Sequence, residues 1–201
     1  MEEKLDIIDY KTGKPTGEVA LRSEAHKKGL AHRAVHLWIV IEHEGQPHFV
    51  FQQRSLKKPN YPGIFVATVG GHVSAGEGKE TLVRETAEEV GLALDLDRAV
   101  YLESHPFELH LPGYDDYEWI DEYLYIATEK LKDFSFADGE VIGLGLVTQK
   151  NLAALVKNPE GTIEGIHFDG SKVVDRTFSK TDFIPNFWEM HIATTLCELE
   201  L

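Results

Sequence analysis

Three glutamates lie close together near the middle of the chain, at Glu85, Glu88 and Glu89. The apolar periodicity of residues 79–90 predicts a helix there, and Gly91 is expected to end it. Residues at i, i+3 and i+4 project from one helix face, so the three carboxylates are expected to form one cluster. Mg²⁺ takes oxygen ligands and binds through a few carboxylates together with substrate phosphates. The spacing therefore predicts magnesium-assisted chemistry on a phosphate compound.

The segment before this helix supports the same interpretation. Gly70 and Gly71 permit tight turns and a close approach of a ligand, and Glu77 is placed where a loop carboxylate could reach the cluster. The backbone N–H groups of a helix N-terminus also favour anions. A solvated acidic helix face is the common alternative. Arg84, the i−4 neighbour of Glu88, and the flanking glycines favour the metal site over that alternative.

The composition is that of an acidic globular protein. The 201 residues are compatible with one sizeable domain, and 34 acidic against 20 basic residues give a net charge of −14. No basic patch for an extended nucleic acid is visible, and no stretch has the ~20 apolar residues that cross a bilayer. The N-terminus lacks the pattern of a signal peptide and Cys197 is the single cysteine, so a cytoplasmic location is expected.

Strands and helices alternate irregularly along the chain. Apolar alternation and turn residues predict strands at 5–9, 18–21, 34–42, 48–54, 65–69, 99–110, 119–127 and 140–147. Further helices are expected at 149–157 and 181–197. Residues 70–78 are expected to form a loop, and residues 158–180 receive no assignment. The pattern predicts a single α+β or mixed αβα layered domain over 1–201, with an N-terminal hairpin (about 1–30) and a C-terminal helical extension (about 158–201).

The region around the acidic helix resembles the Nudix box. That box reads Gly, five residues, Glu, seven residues, Arg-Glu, an aliphatic, any residue, Glu-Glu, any residue, Gly, an aliphatic. It matches Gly71, Glu77, Arg84-Glu85, Glu88-Glu89, Gly91 and Leu92. The chain departs from it twice, because six residues separate Glu77 from Arg84 and because Thr86 occupies the first aliphatic place. The shorter spacing puts the role of Glu77 in doubt.

The resemblance implies a fold, an activity and a set of site residues. The fold is an αβα sandwich around a mixed sheet, and the activity is metal-dependent hydrolysis of a phosphoanhydride bond in a nucleoside diphosphate derivative or a related small diphosphate. Mg²⁺ or Mn²⁺ is expected at Glu77, Glu85, Glu88 and Glu89. Catalytic roles are expected for Arg84, Glu85, Glu88 and a glutamate outside the box, Glu140 or Glu122. Substrate contacts are expected at Arg54, Gly70, Gly71 and His72. Independently of the resemblance, the hydrophobic N-terminal strands indicate pairing between subunits, and a homodimer is expected.

A narrower resemblance extends over residues 4–150, to Nudix proteins similar to isopentenyl-diphosphate isomerase. It rests on the segments 22–26, 32–36, 53–55, 61–63 and 71–77. Those isomerases use a cysteine before the Gly-His of this loop and a metal site of histidines and glutamates. Gly70 stands in the place of the cysteine, which favours a hydrolase over an isomerase. His26, His32 and His72 follow the order of the isomerase histidines, so a second metal site stays open, and a binding module without catalysis is the third alternative.

Aromatic residues provide the last candidates for substrate contact. Trp38, Trp119 and Trp188 are able to stack on a base, although Trp38 is expected in the core. Tyr114 and Tyr117 lie in an acidic, aromatic segment. Residues 106–116 are expected to form a substrate loop.

Overall fold

The computed structural model describes residues 2–137, 139–185, 187 and 190–201. The strands are β1 (Lys4–Ile8), β2 (Pro15–Leu21), β3 (His32–His43), β4 (Gln46–Arg54), β5 (Phe65–Val66), β6 (Val69–His72), β7 (Val100–Leu111), β8 (Tyr114–Ile126), β9 (Val141–Thr148), β10 (Thr162–Phe168) and β11 (Val173–Ser179). The helices are α1 (Arg22–Lys28), α2 (Thr81–Val90), α3 (Gln149–Lys157) and α4 (His191–Glu198). Short 3₁₀ turns occupy Leu96–Arg98, Leu131–Asp133 and Lys180–Asp182.

The long strand β3 is the centre of a mixed sheet. The described strands run in the order β11-β10-β9-β4-β3-β1-β2, and β6 and β8 also pair with β3. β8 runs parallel to β3, with His36 opposite Glu122, whereas β6 runs antiparallel, with His36 opposite Gly70. This pairing brings residues from three distant parts of the sequence onto neighbouring positions of one sheet.

Helices cover both faces of the sheet. Alternate residues of a strand point to opposite faces, and β3 places Leu37 in one apolar cluster and Trp38 in the other. Leu82 of α2 packs into the first cluster. Residues of α3 and α4 pack into the second. The predicted αβα sandwich around a mixed sheet is therefore confirmed. No helix in the described part of the chain has the length and apolar character needed to span a membrane.

Several predicted elements were wrong in type or extent. Residues 70–72 belong to β6 rather than to a loop, because the two glycines let neighbouring side chains cross the strand. Residues 106–116 form most of the β7–β8 hairpin, so the predicted substrate loop is regular structure. β10 and β11 lie in residues 158–180, which received no assignment, and this segment belongs to the expected C-terminal helical extension. Pro185 interrupts the predicted helix 181–197, which is reduced to α4 beyond it.

Candidate active site

Helix α2 is fixed at its C-terminus and along its buried face. Gly91 adopts a left-handed conformation with φ of 70°, and the backbone N–H of Ser135 donates to the carbonyl of Val90. Leu82 and Val90 are buried in the first apolar cluster. Val83 of the same helix is exposed. The predicted helix and its stop at Gly91 are confirmed.

The three glutamates of α2 experience different environments. Glu88 is the exposed member, with 56% of its side chain accessible, whereas 14% of the Glu85 side chain is accessible. Glu89 is buried and its Oε2 accepts hydrogen bonds from Gln52 Nε2 (2.9 Å) and Gly70 N (3.0 Å). Burial raises the pKa of Glu89 to about 8, although the Gly70 N–H opposes the shift. A divalent cation would favour the ionised form of this carboxylate.

Arg84 binds the carboxylates at the outer side of the helix. Its Nη1 lies 2.7 Å from Glu85 Oε1 and 3.5 Å from Glu88 Oε2, and its Nη2 lies 3.5 Å from Glu77 Oε2. Burial raises the pKa of Glu85, and the charge of Arg84 opposes that rise. Glu77 also accepts a hydrogen bond from Thr81 Oγ1 at 2.9 Å. The shortened loop therefore directs Glu77 to Arg84 and to the start of the helix.

The two glycines of β6 leave space for a side chain on each face of the strand, Glu85 beside Gly71 and His36 beside Gly70. A Cβ atom on Gly71 would lie 2.4 Å from Glu85 Cδ, and one on Gly70 would lie 2.9 Å from His36 Cδ2. Real Cβ contacts are longer than this, so any larger residue would displace Glu85 or His36. The glycines are needed for side-chain packing at the site.

A cleft of about 700 Å³ brings most of the predicted residues together. Those that line it are Gly70, Gly71, His72, Arg84, Glu85, Glu88, Glu89 and Glu140. Glu140 precedes β9 and its carboxylate lies 2.7 Å from Lys58 Nζ. Two of the predicted site residues, Glu77 and Arg54, are not among the described residues that line the cleft. Arg54 instead lines an adjoining, largely apolar cavity of about 190 Å³.

Glu122 lies outside the cleft and is a poor candidate for the general base. Its carboxylate is buried on β8 and accepts hydrogen bonds from Trp38 Nε1 (2.6 Å) and from the two histidine rings His36 (3.2 Å) and His105 (3.0 Å). Burial alone would raise the pKa of Glu122, but the neighbouring histidines lower it to about 2. A carboxylate that is so weakly basic does not deprotonate water readily. Glu140 and the α2 glutamates stay as the candidates.

Three histidines and two acidic residues form a second cluster. The ligand atoms of His26, His32, His72 and Asp116 all lie within 4.8 Å of one another, and this is the one group of that kind in the described residues. His72 Nε2 also lies 3.3 Å from Glu118 Oε1. The glutamates of α2 are therefore less closely assembled than the histidine cluster.

The donor atoms of the histidine cluster fit a metal ion. Nε2 of His32, Nε2 of His72 and Oδ1 of Asp116 are buried and have no hydrogen-bond partner among the described residues. Burial lowers the pKa of both His32 and His72, which leaves the neutral rings that bind metals. Burial and the charge of Asp116 raise the pKa of Glu118 to about 8. Imidazole and carboxylate ligands together suit Zn²⁺, Mn²⁺ or Fe²⁺ better than Mg²⁺.

The sequence pattern found three of these five residues and missed Asp116 and Glu118. Both acidic residues interrupt the apolar face of β8, and their spacing of two residues is the signal that identifies them. The parallel pairing of β8 with β3 places Glu118 opposite His32. That long-range pairing could not be read from local spacing.

The aromatic candidates have structural partners. Trp119 Nε1 donates to the Tyr10 carbonyl at 2.7 Å, and the Tyr114 hydroxyl donates to Asp116 at 3.0 Å. Trp38 is buried, as expected. Trp188 lies outside the described residues.

Comparison with known protein families decides the classification. The family model described as the NUDIX domain matches residues 30–163, well over half of the chain. The chain belongs to the Nudix family. A related Nudix hydrolase also matches 92% of the chain, which identifies it as a Nudix hydrolase.

Two curated relatives and one solved structure illustrate the likeness. An uncharacterised Nudix hydrolase of Clostridium acetobutylicum is 29% identical over 92% of this chain and 91% of its own length. Another from Listeria innocua is 30% identical over 72% of this chain and 80% of its own. The Nudix hydrolase RenU of M. smegmatis has a TM-score of 0.52 at 16% identity, covering 85% of this chain and 90% of its own. These relatives support the Nudix family and fold, and they give no support to the isomerase-like subgroup.

Proposed function

We propose that this Nudix hydrolase cleaves a phosphoanhydride bond of a small diphosphate compound, with a divalent metal ion held by Glu85, Glu88 and Glu89. The observation that carries the proposal is the shared cleft, where these carboxylates and Glu140 face one volume of about 700 Å³. Arg22 and Lys58 also line it and offer positive charge to phosphate oxygens. The cleft is large enough for a diphosphate group and part of its substituent.

The residues present fit Mg²⁺ or Mn²⁺. All three donors are carboxylates, and the exposed Glu88 is able to turn towards an ion and its waters. A bound ion would neutralise phosphate charge and lower the pKa of a bound water. Glu89 is held by Gln52 and Gly70, and Glu85 is held by Arg84, so the protein fixes two of its three donors. Glu140 beside Lys58 is the proposed general base.

Replacement of Glu88 by glutamine tests this mechanism. E88Q is expected to lower kcat at least about 100-fold, because a ligand and a charge are lost, while its exposed position leaves the fold intact. The matched control is E80Q, which removes an equal charge from an exposed residue just before the same helix. The assay follows release of phosphate or mononucleotide from nucleoside diphosphate derivatives, coenzyme pyrophosphates and isopentenyl diphosphate, with and without Mg²⁺. Full activity of E88Q would contradict the assignment.

Product analysis and binding measurements with the same compounds separate the two alternatives. Isomerisation of isopentenyl diphosphate is favoured by the histidine and carboxylate cluster, whose composition is the one the isomerase resemblance implies. Gly70 offers no acid or base at the place of the isomerase cysteine, which disfavours that reaction. Formation of dimethylallyl diphosphate would identify an isomerase, and saturable binding without turnover would identify a binding module.

We also propose that the histidine cluster holds a second, transition-metal ion. The purified protein is expected to retain close to one equivalent of Zn²⁺, Mn²⁺ or Fe²⁺ by elemental analysis, and H72N is expected to lose most of it. H110N is the control, because His110 is an exposed histidine that pairs with Asp115. Equal metal content in H72N and in the unaltered protein would refute the site.

A further inference from the structure

His36 lies on the boundary between the cleft and the adjoining apolar cavity. It lines both volumes, and 29% of its side chain is accessible. The space for its ring exists because Gly70, its neighbour on β6, has no side chain. A Cβ atom at position 70 would lie 2.9 Å from His36 Cδ2 and 3.3 Å from Nε2, so this edge of the ring lies over the glycine.

One nitrogen of the His36 ring is held by the protein and the other is not. Nδ1 lies 3.2 Å from Glu122 Oε1, which accepts a hydrogen bond from Nδ1–H. Nε2 has no hydrogen-bond partner among the described residues. The bond at one ring nitrogen fixes the tautomer and orientation, which leaves the other nitrogen for a ligand.

His105 provides an internal comparison. It donates from Nε2 to the same Glu122 oxygen at 3.0 Å, but its Nδ1 lies 3.3 Å from the carbonyl of Pro106. Both nitrogens of His105 therefore contact the protein, which is typical of a structural histidine. His36 shares the buried carboxylate and differs in presenting a nitrogen to the cleft.

The negative charge of the cleft means that an anionic diphosphate needs hydrogen-bond donors besides the cationic side chains. Six carboxylates line it, and its permanently cationic side chains are three, Arg22, Lys58 and Arg84. Arg84 is already bound to the box glutamates. When both ring nitrogens of His36 carry a proton, Nε2–H can donate to an anionic phosphate oxygen while Nδ1–H donates to Glu122.

We infer that His36 is a substrate-binding residue, whose Nε2 hydrogen-bonds the diphosphate group where it passes from the cleft into the apolar cavity. Glu122 is the positioning residue that holds the ring. The inference rests on the proposed function, since it takes the diphosphate as the ligand of the cleft. It assigns the cavity beyond His36 to the organic substituent of the substrate.

Two substitutions of His36 distinguish this role from a purely structural one. The amide nitrogen of asparagine reaches about as far as Nδ1 of histidine, and that of glutamine about as far as Nε2. H36N therefore keeps a donor for Glu122 and loses the substrate contact, whereas H36Q keeps a donor for the substrate. We expect KM to rise at least about tenfold in H36N and less than about threefold in H36Q, with H105Q as the control. A structural role predicts the reverse order, with H36Q the more damaging and the less thermally stable.

Nuclear magnetic resonance gives a readout that does not depend on turnover. Methylene diphosphonate, whose P–C–P link resists hydrolysis, is added with Mg²⁺ to the ¹⁵N-labelled full chain. The Nε2 signal of His36 is expected to shift on saturation while both ring nitrogens of His105 stay in place. An unmoved His36 signal, or H36N kinetics equal to those of the unaltered protein, would overturn the inference. Absence of turnover on every substrate would refute the proposed function, and this titration would still decide the role of His36.

Discussion

At the scale of single residues, Thr86 is a departure from the Nudix box with a measurable consequence. Its side chain is fully buried on α2, and Oγ1 has no hydrogen-bond partner among the described residues. Valine has nearly the same shape and no hydroxyl to desolvate. We expect T86V to raise the free energy of unfolding by about 1 kcal/mol in urea denaturation.

The control for this prediction lies one and a half turns earlier on the same helix. Thr81 is equally buried, but its Oγ1 donates to Glu77 at 2.9 Å. T81V is therefore expected to lower the free energy of unfolding, because it removes a bond and leaves Glu77 with one donor fewer. If both variants lose stability, the hydroxyl of Thr86 has a partner and the explanation fails.

Residue identity alone predicted the helical part of the site well. The i, i+3, i+4 spacing places Glu85, Glu88 and Glu89 on one cleft because the geometry of a helix is local. The spacing could not show that Glu89 is buried against Gln52, since that contact joins residues 37 positions apart. The sequence showed the shorter spacing between Glu77 and Arg84, but only the structure shows that their side chains pair.

At the scale of elements, the errors share one physical origin. Strands are recognised by local alternation, whereas their pairing depends on contacts between distant segments. The acidic, aromatic segment 106–116 resembled a loop because β7 is largely exposed and, in the part of the chain that the structure describes, pairs with β8 alone. The glycine-rich segment 158–180 forms two strands, and the glycine at 165 is needed there because a Cβ atom would clash with Leu146 O and Phe178. Helix α3, whose signals are local, was predicted with the bounds observed.

Pairing between elements also decides how the two candidate sites relate. Successive residues of β6 point to opposite faces, so Gly71 meets Glu85 of α2 while Gly70 meets His36 on the other face. The carboxylate helix and the histidine face of β3 are thus separated by the backbone of one short strand. His36 and Glu85 nevertheless both line the cleft, so a larger residue at either glycine would displace a side chain of the cleft.

At the scale of the whole molecule, charged groups are buried between β3, β7 and β8. Glu122 is the least exposed carboxylate of this region, and its partners Trp38, His36 and His105 come from two other strands. Burying a carboxylate is costly unless donors surround it, and this one has three. The network therefore joins the strands that frame the cavity, and its protonation affects the stability of the entire fold.

The acid stability of the protein is expected to depend on Glu122. Burial alone would raise its pKa, but the histidines lower it to about 2 from an ordinary value of 4.5. A depressed pKa stabilises the folded state fully above pH 4.5, and this stabilisation is lost as the pH falls towards 2. Burial would lower the pKa of the neighbouring His105, but Glu122 raises it, so His105 stays protonated throughout this range. It therefore contributes little to the change of the unfolding free energy with pH.

Between pH 6 and pH 3, the free energy of unfolding is expected to fall by on the order of 2 kcal/mol more in the unaltered protein than in E122Q. Urea denaturation at several pH values measures the difference, and E18Q, which alters an exposed carboxylate of β2, should follow the unaltered protein. If E122Q does not fold, a ¹³C titration of the Glu122 carboxyl in the unaltered protein gives the pKa directly. A midpoint near 4.5, or parallel pH profiles for the two proteins, would show that the histidines do not stabilise the ionised carboxylate.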